Sequence, residues 1–234
     1  MKKILLALSL FGLAACENTG LIEDILARGS SSTDGLSSQM IADGLREALT
    51  IGSGRAVDTL GTENGFLNSV FHIPLPDKLA EAQKVAGRFG LSEPFDELEL
   101  RMNRAAEAAA PKARSLFVQA VRDMSFEDVM SIYRGSDDAA TQYLRRTTGD
   151  SLSSEMRPII DSSLEDVGAA RTLKSLVSRY NALPLVKPID ADLTGHVLGY
   201  ARDAVFTQLA DEEKAIRRDP VKRTTELLQT VFGS

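Results

Sequence analysis

The stretch GSDDAATQYLRRTT, residues 135–148, crowds an acidic pair, a glutamine, a tyrosine and an arginine pair into less than four helical turns. On a helix begun at Ser136, Ala139, Tyr143 and Arg146 share one face, and Asp138, Gln142 and Arg145 share the adjoining one. Arginines bind carboxylate or phosphate through paired donors, and Thr147 and Thr148 can complete such a pocket. The same residues also have purely structural uses. Ser136 can cap, Asp137 and Asp138 fall in a first turn where the helix dipole favours negative charge, and Arg145 and Arg146 fall towards the other end. The segment is therefore either a contact surface or a bridge between helices.

Two other polar clusters could meet it. Asn103 and Glu107 lie four apart with Arg104 beside them, and Glu212, Glu213 and Arg217 precede Arg223, Thr224 and Thr225. Acid and base are matched among them, which predicts an ion network joining helices. Glu107 with Glu213 could instead act as a carboxylate pair, as a hydrolase would need. A serine hydrolase also needs a histidine, and the chain has only His72 and His196. His196 sits inside an apolar helical pattern and reads as a packing residue. One cysteine and two distant histidines do not make a zinc site, and no calcium-loop spacing is present. These residues assign no catalytic set, metal or cofactor.

The cysteine has a different use. Lys2 and Lys3 precede an apolar run, residues 4–13, too short to span a bilayer, so residues 1–15 read as a signal peptide. Leu13-Ala14-Ala15-Cys16 resembles the lipobox of bacterial lipoproteins. The resemblance implies diacylglyceryl transfer to Cys16, cleavage before it and acylation of the new amine. Three acyl chains anchor a protein stably where one does so only marginally. Glu17, where Asp is the usual inner-membrane retention signal, favours the periplasmic face of the outer membrane.

Charge and composition narrow the partners. With 27 basic and 33 acidic residues the precursor carries −6, and loss of Lys2 and Lys3 makes it −8. That balance argues against nucleic acid, which needs a basic surface. It also argues against broad adhesion to anionic lipid.

The elements that position the clusters read as helices throughout. Residues 16–35 form the lipid anchor and a flexible tether, with a short helix expected over 21–27 and a reach of about 25 Å. Ser37 then reads as an N-cap, and Ile41, Leu45, Ala48 and Leu49 as the first apolar stripe. IGSGR, residues 51–55, marks an interruption or a close helix contact. Residues 61–76 form the long irregular segment, too apolar for a solvated loop, hence a packed loop or a lid over a groove. A helix through Phe95, Leu98, Met102 and Ala109 breaks or kinks at Pro111. Ser125 and Asp128 make a capping box, and Pro158 suggests a kink or a new start. Leu193, Val197, Ala201 and Leu209 line a long helix, and Asp219-Pro220 reads as the start of the last one. The fold class is all-α, a single multi-helix, bundle-like domain over 36–234.

In order along the chain, GFLN with IPLP, MNRAAE, MSFEDV, GSDDAATQYLRRTT, EEKAIRRDPVKRTTELL and VFG resemble the bacterial family catalogued as domain of unknown function 4197. The resemblance runs from about Leu36 to Gly233. It implies a mostly helical, often lipid-anchored envelope protein and supplies no activity. His72 precedes IPLP where that resemblance implies a basic residue, which weighs against an anion site there.

The functional expectation is a lipid-anchored periplasmic protein that binds or scaffolds through residues 135–148, with an envelope protein or small ligand as its partner. An alternative is a carrier or sensor of a small amphipathic ligand, held in a helical groove beneath residues 61–76. A third is an enzyme acting on cell-wall or lipid material.

Overall fold

Apolar residues at three- and four-residue spacing fold as helices wherever the structure, a computed structural model, describes the chain: residues 36–166, 169–181 and 192–233. The chain divides into a unit over Met1–Ser38, described only from residue 36, and a body over Gln39–Ser234. The signal peptide, tether and expected short helix lie outside the described residues. The helices are α1 (Ser38–Gly61), α2 (Asp77–Gly87), α3 (Glu93–Ala109), α4 (Ala113–Arg122), α5 (Phe126–Tyr133), α6 (Ala139–Asp166), α7 (Ala169–Asn181), α8 (Leu193–Arg218) and α9 (Glu226–Phe232), with short 3₁₀ turns at Ala110–Lys112 and Pro220–Lys222. The body is all-α.

At its centre α6 packs on α8 and α3, with α4, α5 and α7 added around them. Leu144, Leu152, Met156 and Ile160 of α6 meet Met102, Ala105 and Ala106 of α3 and Val197, Ala201, Val205 and Phe206 of α8 in one apolar cluster. Each large side chain fully buried there contributes about 1.5–3 kcal/mol. The small residues Ala105, Ala106, Ala109, Ala110 and Ala113 are all buried along the α3–α4 corner. Pro111 sits in the 3₁₀ turn of that corner, which ends α3 as its missing N–H requires.

IGSGR does not interrupt α1. Gly52, Ser53 and Gly54 are buried within it, and a Cβ at Gly52 would lie 3.4 Å from the Ile216 side chain of α8. Small residues are what that helix contact needs. The expected capping box is present in α5: Ser125 accepts from the Asp128 amide, and the Asp128 carboxylate accepts from Ser125.

Two boundaries differ from the sequence reading, and at Pro158 one of two readings is excluded. The helix expected from Ser136 begins at Ala139, because the Ser136 hydroxyl donates to Asp138 and does not cap. Pro158 makes no new start, for α6 continues through it. It removes one main-chain donor, but Leu152, Met156, Ile160 and Leu164 keep one buried stripe running past it to Asp166. Asp219 caps only the 3₁₀ turn, accepting from the Val221 amide, and the final helix starts at Glu226 under Thr225, which accepts from Leu228.

Candidate functional site

The turn between α5 and α6 leaves carbonyls at one helix end and amides at the next start without helical partners. A single turn of α8 satisfies both. Glu213 accepts from the amides of Ala140 and Thr141 at 3.1 and 2.9 Å and from the Thr141 hydroxyl at 2.9 Å. Arg217, four residues on, donates to the carbonyls of Ile132 and Tyr133 at 3.0 and 3.4 Å. Arg217 also donates to Glu213 through Nε and Nη2, at 3.2 and 3.0 Å. The carboxylate thus meets a helix N-terminus and the guanidinium a helix C-terminus, each where the dipole favours it. Their side chains are only 4 % and 11 % exposed.

A second clamp, on α3, holds the irregular segment 61–76. Asn103 matches the peptide of Ile73 on both sides, accepting from its amide and donating to its carbonyl, each at 2.9 Å. One turn later Glu107 accepts from the amides of Phe66 and Leu67 at 3.1 and 3.3 Å, and from Arg104 at 2.6 Å. Arg104 reaches on to Asn64 and Glu63. Phe66, Ile73 and Leu75 are buried, so the segment is a packed loop with its main chain tied to α3.

The other residues singled out in the sequence are placed less centrally. Glu212, next to Glu213, turns instead towards Arg55 of α1 at 3.9 Å. Arg223 donates to the carbonyls of Ile216 and Arg217 and closes the end of α8. Asp137 pairs with Arg218. Arg145 lies over the Phe206 ring at 4.7 Å and pairs with Asp203 at 3.4 Å, both half-exposed. Arg146 lies 6.0 Å from the Tyr143 ring. Thr147 and Thr148 return hydrogen bonds to their own helix. Burial, with Asp128 and Asp123 next in effect, pushes the Tyr143 hydroxyl above its ordinary range. The motif is thus bonded largely to itself and to α8. Glu107 and Glu213 serve different clamps and share no hydrogen-bond partner.

Hydrogen bonds from Ser136, at 2.6 Å, and then Gln142, at 3.0 Å, hold the Asp138 carboxyl below the usual carboxylate range. A depressed folded-state pKa contributes stability that is complete above the unfolded-state value and is lost as pH falls through the folded value. Ser136→Ala is expected to raise the Asp138 pKa towards the ordinary value, read by carboxyl-carbon NMR titration. An unchanged titration would show that the hydroxyl is not its cause.

A groove of about 640 Å³ opens between residues 70–72 and α8. Val70, Phe71 and His72 form one wall; His196, Gly199 and Tyr200 belong to the other. His196, read as a satisfied packing residue, does find a main-chain partner and a ring neighbour, and it also borders the groove. It falls beside the stripe of Leu193, Val197 and Ala201, half-exposed, with Nε2 donating to the Pro74 carbonyl at 2.9 Å. That bond leaves Nδ1 of the neutral ring as an acceptor. His72 meets Glu99 at 2.9 Å across the opposite wall. The rings of His196 and Tyr200 lie 4.8 Å apart. A Cβ at Gly199 would meet nothing within 4 Å.

Sequence reasoning missed Val70, Gly199 and Tyr200. The available signal was Gly195 and Gly199, four apart on a helix, which bare one stretch of its face. Among the described residues no group of three or more His, Cys, Asp or Glu is placed to hold a metal ion.

No curated protein and no solved structure matches the chain. A family described as proteins of unknown function, DUF4197, matches residues 35–233. That span takes in both clamps, the groove and the polar strings between them, and the chain belongs to this family.

Proposed function

We propose that the protein is a lipid-anchored envelope component on the periplasmic face of the outer membrane, and that its helical body is a binding module for a small amphipathic ligand. Leu13-Ala14-Ala15-Cys16 and the Glu17 that follows support the anchor and its address. The groove carries the binding reading. Its volume falls within the range of about 300–1,000 Å³ usual for small-molecule sites. Its walls are apolar at Val70 and Phe71, with hydrogen-bonding groups at His72, His196 and Tyr200. It is also pre-formed: Asn103 and His196 tie residues 73 and 74 on one side of the wall, and Glu107 ties residues 66 and 67 on the other. A wall held through its main chain loses little freedom when a ligand arrives.

The 135–148 motif is the weaker surface, because most of its polar groups already have partners within the body. The two places are separated by installing a photo-crosslinking residue at Tyr200 or at Gln142 in the lipidated protein and irradiating living cells. The Tyr200 protein is expected to gain a small-molecule mass and the Gln142 protein to stay bare. Gly199→Phe, which projects into open groove, should abolish the Tyr200 adduct without lowering the melting temperature. A bare Tyr200 protein, or an adduct indifferent to Gly199→Phe, would sink the ligand-groove reading.

A further inference from the structure

The turn that ends α2 carries the exposed apolar side chains Val85 (55 % exposed), Phe89 (74 %) and Leu91 (64 %). Other large exposed apolar residues, such as Val70, Phe126 and Val221, come singly from distant parts of the sequence. Single ones are ordinary on a protein surface, whereas here three within seven residues gather at one turn. Lys84 and Arg88 interleave with them and make no ion pair among the described residues. From Ala82 to Ser92 there is no acidic residue, although the whole chain carries −6. The exposed tip, residues 84–91, thus carries Lys84 and Arg88 as its only charges, with Glu81, Glu93 and Asp96, the last bonded to Gln83 and Ser92, behind it at its base.

The main chain of the same turn is closed on itself. Arg88 donates to Val85, Phe89 to Ala86, Gly90 to Gly87 and Leu91 back to Ala86, all at 3.0–3.2 Å. The last two bonds are the paired closure of a Schellman turn, which needs the left-handed φ of +72° that Gly90 supplies. Four successive amides at the tip therefore need no water, so the turn can enter a poorly hydrated layer without orphaned donors. Residues 87–91 are all exposed, and α2 lends only Leu79 and Ala82 to the buried set, so the tip is convex.

We propose that residues 84–91 form a membrane-docking tip, in which Phe89, Leu91 and Val85 enter the interfacial layer of an anionic phospholipid bilayer while Lys84 and Arg88 meet its phosphates. Long basic side chains place their stems along apolar surroundings and their charges at headgroup level. No described helix is long and apolar enough to cross a membrane, so the tip rests on the surface. The proposal stands on these exposures and charges and does not depend on acylation of Cys16 or on the groove.

The test uses the full chain with Cys16→Ser and a single new thiol, Gly87→Cys, carrying an environment-sensitive fluorophore; Gly149→Cys on α6 is the control. Vesicles containing phosphatidylglycerol are expected to shift the residue-87 emission to the blue and leave residue 149 unchanged. Adding Phe89→Ser with Leu91→Ser should weaken this response about tenfold or more, since each apolar group withdrawn from the layer counts separately. Lys84→Glu with Arg88→Glu should remove the preference for phosphatidylglycerol over phosphatidylcholine. An aqueous residue-87 signal on vesicles that float with the chain would overturn the proposal. So would a blue shift that rises with protein concentration in the absence of lipid, which would assign the patch to a second copy.

Discussion

Replacing Glu213 with alanine is expected to lower the stability of the body by about 3–5 kcal/mol, the cost of removing one partner of a buried, hydrogen-bonded ion pair. In a chain of this size that corresponds to a fall in melting temperature of roughly 10 °C. The loss has three parts. The amides of Ala140 and Thr141 and the Thr141 hydroxyl lose their acceptor, and Arg217 is left buried without its carboxylate. The first turn of α6 also loses the negative charge that its dipole favours. Arg217→Ala should cost a similar amount by freeing the carbonyls of Ile132 and Tyr133. The double variant should cost clearly less than the sum, because neither residue is then left as a lone buried charge. Chemical unfolding of the three variants measures this, and a Glu213→Ala cost under about 1 kcal/mol would place the pair among ordinary surface bridges.

The second large effect is a contrast. Glu107→Ala is expected to destabilise the body by about 3 kcal/mol, whereas Arg145→Ala should cost less than about 1 kcal/mol. Both residues belong to acid–base clusters of similar appearance in the sequence. Glu107, however, is buried and holds the amides of Phe66 and Leu67, while Arg145 pairs with Asp203 where water screens both. Hydrogen exchange gives the sharper readout. In Glu107→Ala the amides of residues 66 and 67 should lose protection well before the core of α6 does. Equal losses in the two variants, or unchanged protection at 66 and 67, would remove Glu107 from its place as the loop's anchor.

That contrast also marks where the sequence stops being legible. Apolar spacing was enough to read α1, α3 and α8, though α2 was not read, and Ser125 with Asp128 was enough to read the start of α5, because those signals lie within a few residues of their effect. Pro111 was equally local, whereas the small residues at 52–54 left interruption and contact both open, since their partner at Gly52 is Ile216 of α8. The start of α6 was not local either, since its amides are met by Glu213, more than seventy positions away. Pro158 left a kink and a new start both open, and only the new start is excluded, since α6 runs through it to Asp166. For the site, the four-residue spacing of Asn103 and Glu107 put both on one face. The partners of that face are main-chain atoms of residues 66, 67 and 73, which leave no mark in side-chain chemistry. The groove was harder still, because Tyr200 and Val70 matter by being exposed, and exposure at a helix surface depends on which neighbours fail to cover it.

The reliance of these clamps on main-chain atoms has an evolutionary consequence. Every residue except proline presents the same amide, and every residue presents the same carbonyl. The main-chain bonds made by Asn103, Glu107 and Glu213 therefore forbid one substitution, proline, at positions 66, 67, 73 and 140 and are indifferent to the rest, whereas position 141 also supplies its hydroxyl to Glu213. The bonds made by Arg217 to residues 132 and 133, and by Arg223 to residue 216, forbid none at those three positions. At those positions anchor and partner can drift independently, so these main-chain contacts would leave little trace as co-varying pairs among related sequences, unlike the side-chain pairs Glu213–Arg217 and Arg104–Glu107.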